Sequence, residues 1–160
     1  MADRKVLVKN MINGTVVFVV ENANFKRSFK GEGAKAYIPF EILFEGLSQE
    51  GAMFLFTDGI LAIDNKQDRI DLGLEFEDEP SQLDHISMDS AKMLEIMKAN
   101  NPVTIKETLE QLSTEQRKKF AQVAVENKIY TASLAKFIKD YTGIDLMKCI
   151  QELDDESEDN

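Results

Sequence analysis

Few side chains in this 160-residue chain are of types that perform chemistry, and those few stand apart from one another. His85 is the only histidine and Cys149 the only cysteine. A histidine-based triad, a multi-histidine zinc site and a HExxH helix all require partners that the sequence does not supply. His85 lies in a polar stretch, where a solvated imidazole is expected. Cys149 can form no internal disulfide. It falls on the apolar stripe Leu146, Cys149, Ile150 and Leu153, where a buried, unreactive thiol is expected. Asp64, Asp68 and Asp71 suggest half of a calcium loop, but Lys66 holds the third position and Arg69 the sixth. Those positions need an oxygen ligand and a glycine, so the assignment fails. Glu75, Glu77, Asp78 and Glu79 could gather a divalent cation weakly, although a solvated acidic strand or linker is the plainer expectation. Gly31-Glu32-Gly33 has neither GxGxxG nor Walker spacing. We therefore expect no catalytic residue, no metal ligand set and no cofactor.

Lys26, Arg27, Lys30 and Lys35 interleave with Phe25, Phe29 and Tyr37, and small β-barrels use such surfaces to bind nucleic acid strands. The aromatics alternate with the cations, as expected if they point into a core. The chain also carries a net charge of −10, whereas sequence-independent binding depends on clustered cations that neutralise phosphate. Nucleic acid is not an expected partner. The charge is unevenly spread: residues 1–40 hold seven Lys/Arg against three Asp/Glu, and residues 41–90 hold two against thirteen. Residues 91–150 hold ten against seven, and 151–160 none against six. The basic N-terminal part of one copy could thus face the acidic middle of a neighbour. A soluble surface with ordinary charge scatter is the blander reading.

The elements that would position these residues change rhythm near Pro80. Upstream, apolar residues come in short bursts, KVLVKN at 5–10, TVVFVV at 15–20 and AMFLF at 52–56, which read as strands. Asn13-Gly14 predicts a hairpin between the first two. A third strand is expected over 25–30, with Phe25, Arg27 and Phe29 on one face, and a short extended piece over 35–38. Pro39 opens one short helix in PFEILFEGLSQEG, and Gly51 ends it. The 52–56 run returns as a strand, and Asp58-Gly59 turns into another at 60–64. Residues 75–84 read as an acidic linker.

Downstream, apolar residues recur every three to four positions. Helices are expected from Ser87 or Asp89 to Lys98, with Met88, Ala91, Leu94 and Met97 inward, and over 103–111. Ser113 and Gln116 form a capping-box pattern for a helix to about Asn127, with Phe120, Val123 and Ala124 inward. Another follows from Thr131 or Ser133 to Gly143, and a last one from Asp145 to Leu153. The longest apolar run is far too short to cross a bilayer, and MADRKVLVKN is not a secretory signal. The expected fold is α+β: a small SH3-like barrel with one short helix over 1–80, a helical bundle over 81–153, and a disordered acidic tail over 154–160.

Val8-Lys9-Asn10, Gly14-Thr15-Val16, the basic-aromatic FKRSF, the helix after Ile38-Pro39, Gly51 to Phe56, the Ile60–Asp64 segment, LEQLSTEQ and Ile138 to Asp145 together resemble a family of small bacteriophage virion-associated structural proteins. The likeness spans most of the chain, although each piece is short. It implies a capsid, decoration or head–tail component, made in the host bacterial cytoplasm and present in many copies on other virion proteins. It transfers no enzymatic residue. Six residues are candidate interface anchors: Arg27, Phe29 and Tyr37 in the β unit, and Tyr130, Phe137 and Tyr141 in the helical unit. The alternative is an acidic regulatory module, such as a phage-encoded inhibitor of a host protein that mimics nucleic acid.

Overall fold

The computed structural model describes residues 4–49, 51–78 and 83–158. The fold is α+β, in two compact units, Met1–Ser87 and Met88–Asn160. The expected border at Pro80 lies outside the described residues.

In the first unit β1 (Lys5–Asn10) and β2 (Thr15–Val20) form where the alternation predicted strands. A single 3-10 turn, Glu21–Ala23, leads to β3 (Phe25–Lys30), and β4 (Lys35–Pro39) follows. The predicted β1–β2 hairpin does not form. β1 pairs antiparallel with β4, Val6 opposite Ile38, while β2 pairs with β3, Val16 opposite Phe29. The cause is Asn10, which is fully buried. Its Nδ2 donates to the carbonyls of Gly14 (2.8 Å) and Phe29 (3.3 Å), and its Oδ1 accepts the Ile12 N–H at 2.9 Å. Residues 11–14 are thereby bent into a corner that carries the chain from one sheet to the other. Gly14 does not adopt the positive φ that an Asn-Gly hairpin turn would need.

The helix α1 (Phe40–Leu47) follows directly from Pro39. It lays Leu43, Gly46 and Leu47 inward, and Gly46 lets it approach β2: a Cβ there would lie 2.7 Å from both Phe18 Cζ and Val20 Cγ2. The 52–56 run, predicted as a strand, is instead the helix α2 (Ala52–Thr57). A five-residue apolar run does not by itself distinguish the two. Gly51, at φ 86°, precedes this helix, in which Phe56 is buried and Leu55 half-buried. The Phe56 ring meets Phe18 edge-on at 6.4 Å.

The fifth strand, β5 (Leu61–Ala62), is only two residues long and adds to β1, giving the order β4-β1-β5. The two sheets do not close into a barrel. Their inner faces and α1 enclose a core of Val6, Val8, Phe18, Phe29, Ile38 and Leu43, among others.

A helix not anticipated from the pattern, α3 (Lys66–Asp71), is capped by Asn65, whose Oδ1 accepts the Asp68 N–H. It explains the spacing of Asp68 and Asp71, which at i, i+3 both face Arg4. Arg4 donates to Asp68 (2.6 Å) and Asp71 (2.8 Å), and its guanidinium lies 4.3 Å from the Phe40 ring centre. The hydrogen bond from Arg4, seconded by Gln67, holds the Asp71 carboxyl below its ordinary range.

In the second unit each helix starts on a side-chain cap. α4 (Ser90–Ala99) is capped by Asp89, α5 (Pro102–Gln111) by Asn101, α6 (Thr114–Glu126) by Ser113 and α7 (Ala132–Thr142) by Thr131. Each cap oxygen accepts an otherwise unpaired first-turn N–H. Gly143, at φ 78°, ends α7, and the Asp145 carboxylate accepts the Lys148 N–H at the start of α8 (Leu146–Glu158). The core is Met93, Met97, Ile105, Leu109, Phe120, Ala124, Leu134 and Ile138 with their neighbours. Ala91, expected inward, is exposed; the buried stripe runs through Met93 and Met97. The acidic tail was expected to be disordered from residue 154. Instead α8 continues to Glu158, with Leu153 half-buried and Asp154 paired with Lys128. Residues 159–160 lie outside the described part.

Candidate interaction surfaces

The residues with chemical potential do not converge. His85 is exposed and Cys149 half-buried, less covered than its place on an apolar stripe suggested. Among the described residues, no three His, Cys, Asp or Glu side chains are grouped to hold a metal ion, and no helix is long and apolar enough to cross a membrane.

The acidic stretch contains a feature that spacing alone did not show. Glu75, read as part of a solvated linker, is buried with Arg69. Arg69 Nε donates to Glu75 Oε2 at 2.6 Å, and Nη1 donates to the carbonyls of Ile63 (2.7 Å) and Asp64 (3.0 Å). Asp84 joins from the surface, 2.9 Å from Nη2. This cluster fastens the chain after α3 to the residues that follow β5. It is a structural staple, with every guanidinium nitrogen turned to a protein partner.

In the second unit a shallow depression of about 290 Å³ lies between the starts of α7 and α8. Tyr130, Lys136, Lys139, Asp145 and Met147 line it. Its only carboxylate already caps α8, so no acid–base pair faces a bound molecule there.

The six candidate anchors separate by environment. Phe29 is 1 % exposed and belongs to the core, so it cannot meet a partner. Arg27 is exposed on the same strand. Tyr37 is 60 % exposed, contrary to the expectation that the aromatics of the basic segment point inward. It is the register partner of Leu7, on the outer face of β1–β4, because Val6 and Ile38 take the inner face. Tyr130 is exposed at the start of α7. Phe137 is half-buried against the second core. Tyr141 is half-buried; its hydroxyl donates to Glu110 at 2.8 Å, and Arg117 stacks 5.2 Å from its ring centre. That hydrogen bond, with burial and the Glu110 charge, raises the phenol above its ordinary range.

Sequence reasoning missed three large exposed apolar side chains. Phe44 on α1, Phe54 on α2 and Phe76 are each more than half exposed. Phe44 stacks on Phe40 with ring centres 6.0 Å apart. Helical spacing groups Phe44 with Phe40, Leu43 and Leu47 and so reads it as inward; in α1 it is instead exposed, beside Glu41 and Glu45. On the β2–β3 sheet, Val17 and Val19 also face solvent, beside Lys26 and Ser28.

No protein-family model, curated protein or solved structure matches this chain.

Proposed function

We propose that this chain is a non-catalytic structural or assembly protein of a bacteriophage virion, docking on capsid or head–tail proteins in many copies. One observation carries the reading. Four large aromatics of the first unit, Tyr37, Phe44, Phe54 and Phe76, are each more than half exposed. Aromatic side chains are enriched at the buried centres of protein interfaces, where they supply much of the binding energy. Arg27, Tyr37 and Tyr130 are the accessible members of the anchor set. The resemblance to virion-associated proteins supplies the setting: synthesis in the bacterial cytoplasm, then incorporation into the particle. The same reading takes the first unit as an opened SH3-like barrel, supported by five short strands with helices between the fourth and fifth.

Co-sedimentation tests this. Labelled purified chain should pellet with particles of the encoding phage, and the Tyr37→Ala, Phe44→Ala double variant should pellet less. Wild-type chain left wholly in the supernatant contradicts the proposal.

A second reading gains one specific support. α8 carries the exposed acids Glu152, Asp155 and Glu156 on a helix, a firmer display than a disordered tail provides. A nucleic-acid mimic needs carboxylates held in place. Capture of a host DNA-handling protein that weakens steeply with salt would favour that reading.

A further inference from the structure

We propose that the first unit carries two complementary docking faces through which a second copy of this chain binds head to tail. This inference rests on the protein-contact reading and names one partner within it.

The first face is the outer side of β1–β4. Leu7 and Tyr37 lie opposite each other at its centre, with Lys5, Lys9 and Lys35 around them. Lys9 and Lys35 are register partners, and like charges directly opposite in a strand pair repel. Lys9 has one carboxylate nearby, Asp64 at 3.8 Å, itself largely exposed. The sheet thus holds an exposed tyrosine inside a ring of cations.

The second face is the outer side of α1. Phe44 stands exposed beside Glu41 and Glu45, and its ring stacks on Phe40. Among the described residues, none of Lys5, Lys35, Glu41 and Glu45 takes part in an ion pair. Each face therefore offers an aromatic anchor and unneutralised charge, of opposite sign on the two. Because the faces differ, the contact is heterologous: one copy's cationic face takes the next copy's anionic face, and the pairing can repeat along an assembly. Electrostatic complementarity of this kind fixes partner and register more than it adds affinity.

The test is sedimentation velocity on the full chain across a concentration series. At low salt the Debye length is about 30 Å, and in 1 M salt it falls to about 3 Å. Wild type should show association growing with concentration at low salt and weakened in 1 M salt. The variants K5E/K35E and E41K/E45K, checked for fold by circular dichroism, should each remain single. Their mixture should recover association, because each reversed face then meets its opposite. A wild type that stays single at low salt overturns the inference. So does association that both variants retain, or that persists unchanged in 1 M salt, a comparison that stands even where a variant fails to fold. Binding of a fluorescent single-stranded oligonucleotide, abolished by K5E/K35E without self-association, also overturns it by assigning the lysine face to nucleic acid. A chain that remains single yet pellets with particles defeats this inference while leaving the proposed function standing.

Discussion

Replacing Asn10 by alanine should unfasten the first unit while leaving the second untouched. Asn10 is fully buried and makes three side-chain hydrogen bonds: to the Gly14 and Phe29 carbonyls and from the Ile12 N–H. Gly14 is at the surface, so water can replace its bond; the Phe29 carbonyl is buried and the Ile12 amide half-covered. A typical intramolecular hydrogen bond contributes about 0.5–1.5 kcal/mol, and a buried group left unpaired costs about 1–3 kcal/mol. We expect a loss of roughly 2–3 kcal/mol for N10A, with the two covered partners dominating. Hydrogen exchange with mass spectrometry reads each unit separately. Amides of β1 to β4 that exchange through unfolding of the unit should speed up by roughly 30- to 140-fold, at tenfold per 1.4 kcal/mol. Those of α5 to α7 should not change. Gly14→Ala is the informative companion. Gly14 is not in the left-handed region and has open space where a Cβ would sit, so the change should shift stability by less than about 0.5 kcal/mol. A tight Asn-Gly hairpin would instead penalise it by roughly 1–2 kcal/mol. The reasoning fails if N10A costs under about 0.5 kcal/mol, within the range of ordinary surface changes, or if G14A is the more damaging of the two.

Gly46→Ala should lower the urea midpoint of the first unit although alanine is the better helix former. Two contacts at 2.7 Å against packed Phe18 and Val20 should outweigh the roughly 1 kcal/mol propensity gain, for a net loss of about 1–2 kcal/mol; an unchanged midpoint would contradict the close approach. Arg69→Met should cost about 3–5 kcal/mol by stranding buried Glu75, and the double change R69M/E75L should cost clearly less. Equal losses in the same denaturation assay would show that the charge pair is not what matters. Asp71 should titrate by carboxyl NMR below the ordinary carboxylate range, because Arg4 and Gln67 donate to its ionised form. A depressed folded-state pKa gives stability that is present above the unfolded value and lost as pH falls through the folded one. The clamp should therefore weaken only in acid, and Arg4→Ala should move the Asp71 midpoint upward; a midpoint that stays put refutes the clamp.

The helical unit was legible because each helix announces itself locally. Asp89, Ser113, Thr131 and Asp145 are caps, Gly143 is a stop, and the apolar spacing names Phe120, Val123 and Ala124 as inward. The first four strands were equally readable from alternation. Their pairing was not. Asn13-Gly14 signals a hairpin only if the chain reverses there, and a buried asparagine three residues earlier redirects it through contacts with Phe29, distant in sequence. The 52–56 run was ambiguous by length, and α3 was hidden among charges whose spacing suggested ligands. Glu75 read as solvated because its partner Arg69 counted only as a flaw in a calcium loop. Of the candidate anchors, periodicity placed Phe29 on the same strand face as Arg27 but could not say which was covered. The exposure of Tyr37 follows from register with Leu7, a property of the β1–β4 pairing and not of either segment alone.

Quantitative mass spectrometry of purified particles of the phage proposed to encode this chain tests the central claim most directly. The account predicts that this chain is present at a fixed multiple of the other virion proteins, tens to hundreds of copies for a lattice role and a few for a vertex or tail role. Its absence from purified particles, with abundant free chain in the lysate, would contradict it.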